Sequence, residues 1–162
     1  MPVQMNRPGT FEVTGLAELD RALLQMGTRV SRSVVGKALR ASAKPVVKEA
    51  RRLLKINRTE QSGLLRKSIG VKLKKYKLTG TQLIVIGPRA GKGGSYRGRP
   101  RDPVKYAHFI ELGVPGRVRA WSFLAKALDI HEREIVTLFL AHVEKGIQAE
   151  AKKLAQKATA KA

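Results

Sequence analysis

The chain has 162 residues, enough for one domain with extensions, but aromatic residues are only 5% of it, so its core must be thin. Lys and Arg number 33 against 12 Asp and Glu, for a net charge of +21 and a pI near 11.1; self-repulsion at that charge calls for a polyanion or an acidic partner. The absence of cysteine excludes disulfides, thiolate metal sites and thiol nucleophiles, and no apolar run approaches the ~18 residues of a membrane span, so use in the cytoplasm, or in a particle assembled there, is expected.

Residues 1–9 read as a flexible arm and "TFEVTG" as a short strand closed by Gly15. Leu16, Leu19, Leu23 and Met26 recur at helical spacing up to Gly27, which predicts a first short helix. Residues 28–55 predict a longer helical segment with Lys37, Arg40, Lys44, Lys48, Arg51 and Lys55 in one basic stripe and Leu39, Ala43, Val46, Ala50 and Leu53 on the opposite side. Pro45 interrupts the pattern, so the helix kinks there or a second one begins.

After the turn-like "NRTEQSG", residues 67–78 alternate Ile69, Val71 and Leu73 with polar residues, and "TQLIVIGP" follows across "LTGT", which predicts a β-hairpin. The glycine-rich "RAGKGGSYRGRPRD", carrying Arg89, Lys92, Arg97, Arg99 and Arg101, reads as a mobile basic loop over 89–102. Pro103 then opens a short helix that stops at Gly113. A long helix is predicted from about Ser122 to about Lys157, with Leu140, Ile147 and Leu154 spaced by seven and Val136 and Val143 between them, a seam suited to packing on another helix. The tail "AKKLAQKATAKA" reads as fraying. The expected architecture is α+β: a small antiparallel sheet packed against a long basic helix and a long C-terminal helix. The arm occupies 1–9, a single domain 10–145, and the end of the C-terminal helix with its basic tail 146–162.

Catalytic and metal chemistry find little support. "GPRAGKGG" follows a strand, as a phosphate loop does, but Gly87 to Gly91 is one residue short, Gly93 replaces the magnesium-binding hydroxyl, and no helix follows. His108 and Glu111 share a helical face yet give two ligands where zinc needs at least three, and His131 and His142 stand ~16 Å apart along a helix. Glu132 and Glu134 point to different sides, and no serine sits in a nucleophile elbow. No cofactor and no enzymatic activity are expected. The basic stripe at 37–55, the hairpin residues Lys72, Lys74, Lys75 and Lys77, and the loop arginines together predict contact with nucleic acid or an acidic protein surface. Only Tyr76 and Tyr96 offer stacking platforms there, which favours phosphate attraction over base reading. Composition alone is also compatible with a free-standing nucleic-acid-binding protein.

Five phrases in order, "FEVTGLAELDRAL", "KALRASAKPVVKEAR", "SGLLRKSI", "YAHFIELG" and "SFLAKALD", resemble the small tail-completion or head-tail joining proteins of long-tailed double-stranded DNA phages. The residues that carry the resemblance are Gly63, Leu65, Arg66, Ser68 and Ile69; Tyr106, Ala107, Phe109, Glu111 and Gly113; and Phe123, Leu124, Ala127 and Leu128. Departures are Leu112 for an aromatic, Val114 for Thr, and Ser122 and Lys126 for Pro. The resemblance implies a non-catalytic α+β virion protein in a ring, sixfold to match the tail, at the neck or upper tail. Its partners would be further copies of itself, a connector, stopper, tail terminator or tail tube, and genomic DNA passing through without sequence preference. The chain's own features are compatible with such a ring: the C-terminal helix could pack on an adjacent subunit, and the arm and the 89–102 loop could become ordered only upon assembly. In "YAHFIELG", Tyr106 and Phe109 would dock a short helix on the sheet, with Glu111 meeting a basic residue such as Arg66.

Overall fold

A computed structural model describes residues 3–7, 10–13, 16–56, 62–76 and 79–159. It is α+β, as expected, and divides into two compact units, one of Met1–Ser42 with Val136–Ala162 and one of Ala43–Ile135.

In the first unit, β1 (Val3–Arg7) pairs antiparallel with β2 (Thr10–Val13), with an irregularity between Met5 and Arg7. Residues 3–7 are thus a strand where an arm is expected, while Gly15 lies outside the described residues. Helices α1 (Leu16–Gln25) and α2 (Thr28–Ser42) follow, joined through Gly27 at φ 74°. The residues 136–159 of α6 (Phe123–Thr159) complete this unit. Val34 and Ala38, one turn apart on α2, bury against Val143, with Leu19, Leu23, Val30, Phe139 and Ile147 around them. Val143 and Ile147 of the predicted seam thus pack against another helix, α2 of the same chain. Leu154, the last residue of the seam, is exposed. Helical backbone continues to Thr159, through most of the segment expected to fray, and 160–162 lie outside the described residues.

In the second unit a new helix, α3 (Lys44–Ile56), begins with Pro45 in its first turn, where the missing N–H removes no hydrogen bond. Val46, Ala50 and Leu54 recur every four residues and form its buried stripe. Gly63 (φ 67°) opens α4 (Leu64–Ser68), so Lys67 and Ser68, expected at the start of a strand, are helical. Leu65 is fully buried, and the Ser68 hydroxyl, also buried, donates to the Leu65 carbonyl at 2.7 Å.

β3 (Ile69–Lys75) pairs antiparallel with β4 (Gln82–Pro88) in the register Lys72↔Val85, the predicted hairpin. Inside the segment read as a loop, β5 (Gly94–Tyr96) pairs with β6 (Arg99–Arg101). α5 (Pro103–Leu112) has the predicted limits: Asp102 Oδ1 accepts from Val104 N at 3.1 Å, Pro103 fills the first turn, and Gly113 (φ 79°) ends it.

The core of this unit gathers Val46, Ala50 and Leu54 of α3, Leu65 of α4, Ile69 of β3, Ala107 and Ile110 of α5, and Phe123 and Ala127 of α6. Three of these nine are alanines, the packing a chain poor in aromatics must use. Each large buried side chain stabilises by roughly 1.5–3 kcal/mol.

Candidate functional site

Two features of the second unit organise its functional side chains. The first is the turn between α5 and α6. Glu111 sits at the end of α5 and directs its carboxylate onto the start of α6: Oε2 accepts from Leu124 N at 3.0 Å and Oε1 from Ala125 N at 3.1 Å. A side-chain oxygen at the N-cap usually takes those amides. Here Ser122 stands at that place, at φ 49°, and its hydroxyl donates instead to the Glu111 carbonyl at 3.3 Å. Trp121 N and Ser122 N donate to the carbonyls of Ile110 and Glu111, so the intervening loop is closed at its base.

Within the loop, Val114 and Val118 exchange two backbone hydrogen bonds, at 2.7 and 2.9 Å. A Cβ on Gly113 would stand 2.7 Å from Ala120 N and 2.8 Å from Val118 O, so the positive φ and the close approach both require glycine. Lys126 Nζ lies 4.6 Å above the Trp121 ring.

These contacts correct two expectations. Glu111 makes no ion pair with Arg66 or any other base among the described residues; it caps a helix. Phe109 does not dock on the sheet: it is 44% exposed, and Ala107 and Ile110 dock α5 instead, with Tyr106 packed partly buried beside them. Phe109, with Val104 (41% exposed) and Leu112 (75%), puts three hydrophobic side chains on the outer face of α5, which they share with Lys105 and His108. The His108 ring packs on Phe109 at 3.9 Å, while the Glu111 oxygens are held by α6 amides, and among the described residues no three His, Asp or Glu are grouped to hold a metal.

The second feature is a basic cavity of about 430 Å³ lined by Lys48, Arg51, Arg52 and Lys55 of α3 and Arg66 and Lys67 of α4. Leu54 and Leu65, buried at 1% and 0% exposure, anchor the two helices beneath it. Arg51 Nη2 donates to the Ile69 carbonyl at 2.7 Å. Arg52 clamps Glu49 through three hydrogen bonds of 2.6–3.1 Å. Those bonds hold the Glu49 carboxyl below the ordinary carboxylate range, with the charges of Arg52 and His131 adding to them against the opposing effect of burial. Glu49 stays ionised and offsets Arg52. No acidic side chain among the described residues pairs with Lys48, Lys55, Arg66 or Lys67.

The structure thus brings Lys48, Arg51 and Lys55 of the predicted stripe together with Arg66. Lys37 and Arg40 are exposed on α2 in the first unit, and Lys44 is exposed at the start of α3. Lys92, Arg97, Arg99 and Arg101 are exposed along the β5–β6 hairpin. Arg89 extends the β3–β4 ladder, its N–H donating to Ser68 O at 3.0 Å, and its side chain crosses the face of Gly70. Lys77 lies outside the described residues. Sequence reasoning missed Arg52 and Lys67. The signal was present as "RRLL" at 51–54 and "LLRK" at 64–67: in each, the leucine pair turns one member into the core and leaves the adjoining basic pair on the surface.

Residues 17–113 match the family model described as "Bacteriophage HK97-gp10, putative tail-component". The chain belongs to this family. No curated protein and no solved structure matches it. The span matched by the tail-component family runs from α1 to Gly113, so it includes both sides of the basic cavity and all of α5. Phe123 and Leu124, which also carry the resemblance, lie beyond that span: Phe123 is fully buried in the core and Leu124 packs against it. No helix among the described residues is long and apolar enough to cross a membrane.

Proposed function

We propose that the protein is a structural component of the phage virion, placed at the neck or upper tail. There it completes the tail or joins it to the head as part of an oligomeric ring, sixfold like the tail, through which DNA passes. Family membership across 17–113 carries this reading. Two physical features support it. The exposed Val104, Phe109 and Leu112 on α5 form the kind of surface that assembly covers. The net charge of +21 suits a lumen that holds phosphate without reading sequence. Assembly takes place in the host cytoplasm, the partners being further copies of the chain and neighbouring neck and tail proteins. No reacting group is needed, since the role is contact and closure.

The test is a phage lacking the gene, complemented from a plasmid. Without the protein, heads and tails accumulate unjoined, or tails are malformed; with it, infectious particles return, and electron microscopy places a ring of the protein at the neck or upper tail. Normal particles in its absence, together with tight duplex binding at physiological salt, would make it a free-standing nucleic-acid-binding protein instead.

A further inference from the structure

Two clusters of positive charge in the second unit differ in shape. On the β5–β6 hairpin the charge stands exposed on short strands and a turn. Between α3 and α4 it converges on a cavity of about 430 Å³. We propose that this cavity is the docking site for an acidic segment of another protein, one that presents two or more Glu or Asp side chains. This rests on the tail-component reading for its premise that the natural partner is a protein of the same particle.

Four observations carry the assignment. The lining is entirely basic, and the nearby Glu49 is already held by Arg52, so Lys48, Lys55, Arg66 and Lys67 have no carboxylate of their own among the described residues. The site is built before a partner arrives: Leu54 and Leu65 fix its two helices in the core, and the carbonyl of Ile69 holds the Arg51 guanidinium. Less ordering remains to be done on binding.

The shape fits a few side chains. Carboxylates reach the ammonium and guanidinium groups while their methylenes lie along the Lys and Arg stems. The lining offers no aromatic side chain on which the bases of a single strand could stack. Lastly, overall charge disfavours a second copy as the partner, since its 12 acids are outnumbered by 33 bases.

The experiment measures binding of the full chain to two probes, a fluorescein-labelled hexaglutamate peptide and a short DNA duplex, at about physiological salt. Two variants remove the same number of charges: Lys48→Gln/Lys55→Gln/Lys67→Gln in the cavity, and Lys92→Gln/Arg97→Gln/Arg99→Gln on the hairpin. Circular dichroism confirms that both are folded. The cavity variant is expected to lose about tenfold or more in peptide affinity and the hairpin variant less than about threefold, with the duplex depending more on the hairpin. Equal losses from the two variants would reduce the cavity to diffuse attraction and overturn the proposal. So would a cavity variant that weakens the duplex more than the peptide, or a wild-type chain that does not bind the peptide. The titration involves no virion, so peptide binding confined to the cavity, by a protein absent from particles, would sink the tail-component reading alone.

Discussion

Glu111 reaches over 13 residues of chain to the amide of Leu124 and over 14 to that of Ala125. It does by tertiary contact what a local N-cap does elsewhere, and it brings a negative charge to the positive end of a 37-residue helix. The Ser122 hydroxyl is turned to the Glu111 carbonyl, so removing the carboxylate leaves both amides without a side-chain acceptor. Glu111→Ala should destabilise the fold by about 1–2 kcal/mol, and Glu111→Gln by less, because an amide oxygen still accepts from one of the two. Urea unfolding measures the loss, and hydrogen exchange at Leu124 and Ala125 locates it. Wild-type stability and unchanged exchange in Glu111→Ala would show that the cap contributes nothing.

At the scale of elements, the crossing of α2 and α6 in the first unit depends on Gly146, where an added Cβ would lie 2.5 Å from Val34 Cγ1. Alanine is favoured over glycine inside a helix by about 1 kcal/mol. On propensity alone Gly146→Ala would therefore stabilise. The contact reverses the sign, because Val34 is itself buried and branched and has little room to yield. We expect Gly146→Ala to destabilise by about 1 kcal/mol, and to become neutral or stabilising once Val34→Ala opens the space. Thermal unfolding of the four proteins in this cycle would expose the coupling, and strictly additive effects would refute it.

What was legible in the sequence among these elements follows from how local their causes are. Asp102, Pro103 and Gly113 bound α5 through contacts within a turn or two, so its limits were readable, whereas Pro45 marked either a kink or a new start, and the structure shows the second. α4 was not readable, since five residues are too short for a helical period and its helix depends on the burial of Leu65. The outward turn of Phe109 was equally hidden: Ala107 and Ile110 have the same spacing as Tyr106 and Phe109, and alanine barely registers in a hydrophobic pattern. The cavity needed two segments, 48–55 and 66–67, that only the fold brings together.

For the whole molecule, the 33 bases exceed the 12 acids, and the ion pairs Glu49–Arg52 and Glu150–Lys153 are local helical ones, spaced i,i+3. Pairs of that kind contribute a few tenths of a kcal/mol each and cannot offset the self-repulsion of +21. The isolated protein should accordingly be least stable in dilute buffer. Raising the ionic strength from ~0.01 M to ~0.1 M shortens the screening length from about 30 Å to about 10 Å, which weakens repulsion between all but neighbouring exposed charges. The unfolding midpoint should rise by several degrees, at about 2–4 °C per kcal/mol for a chain of this size. Calorimetry in sodium chloride over that range measures it, and a midpoint that is flat or falls with salt would show that repulsion does not limit stability. Sodium sulfate at matched ionic strength separates the two ways an anion can act. Screening alone places both salts on one curve, whereas added stabilisation by sulfate that disappears in Lys48→Gln/Lys55→Gln/Lys67→Gln would come from anions held in the cavity.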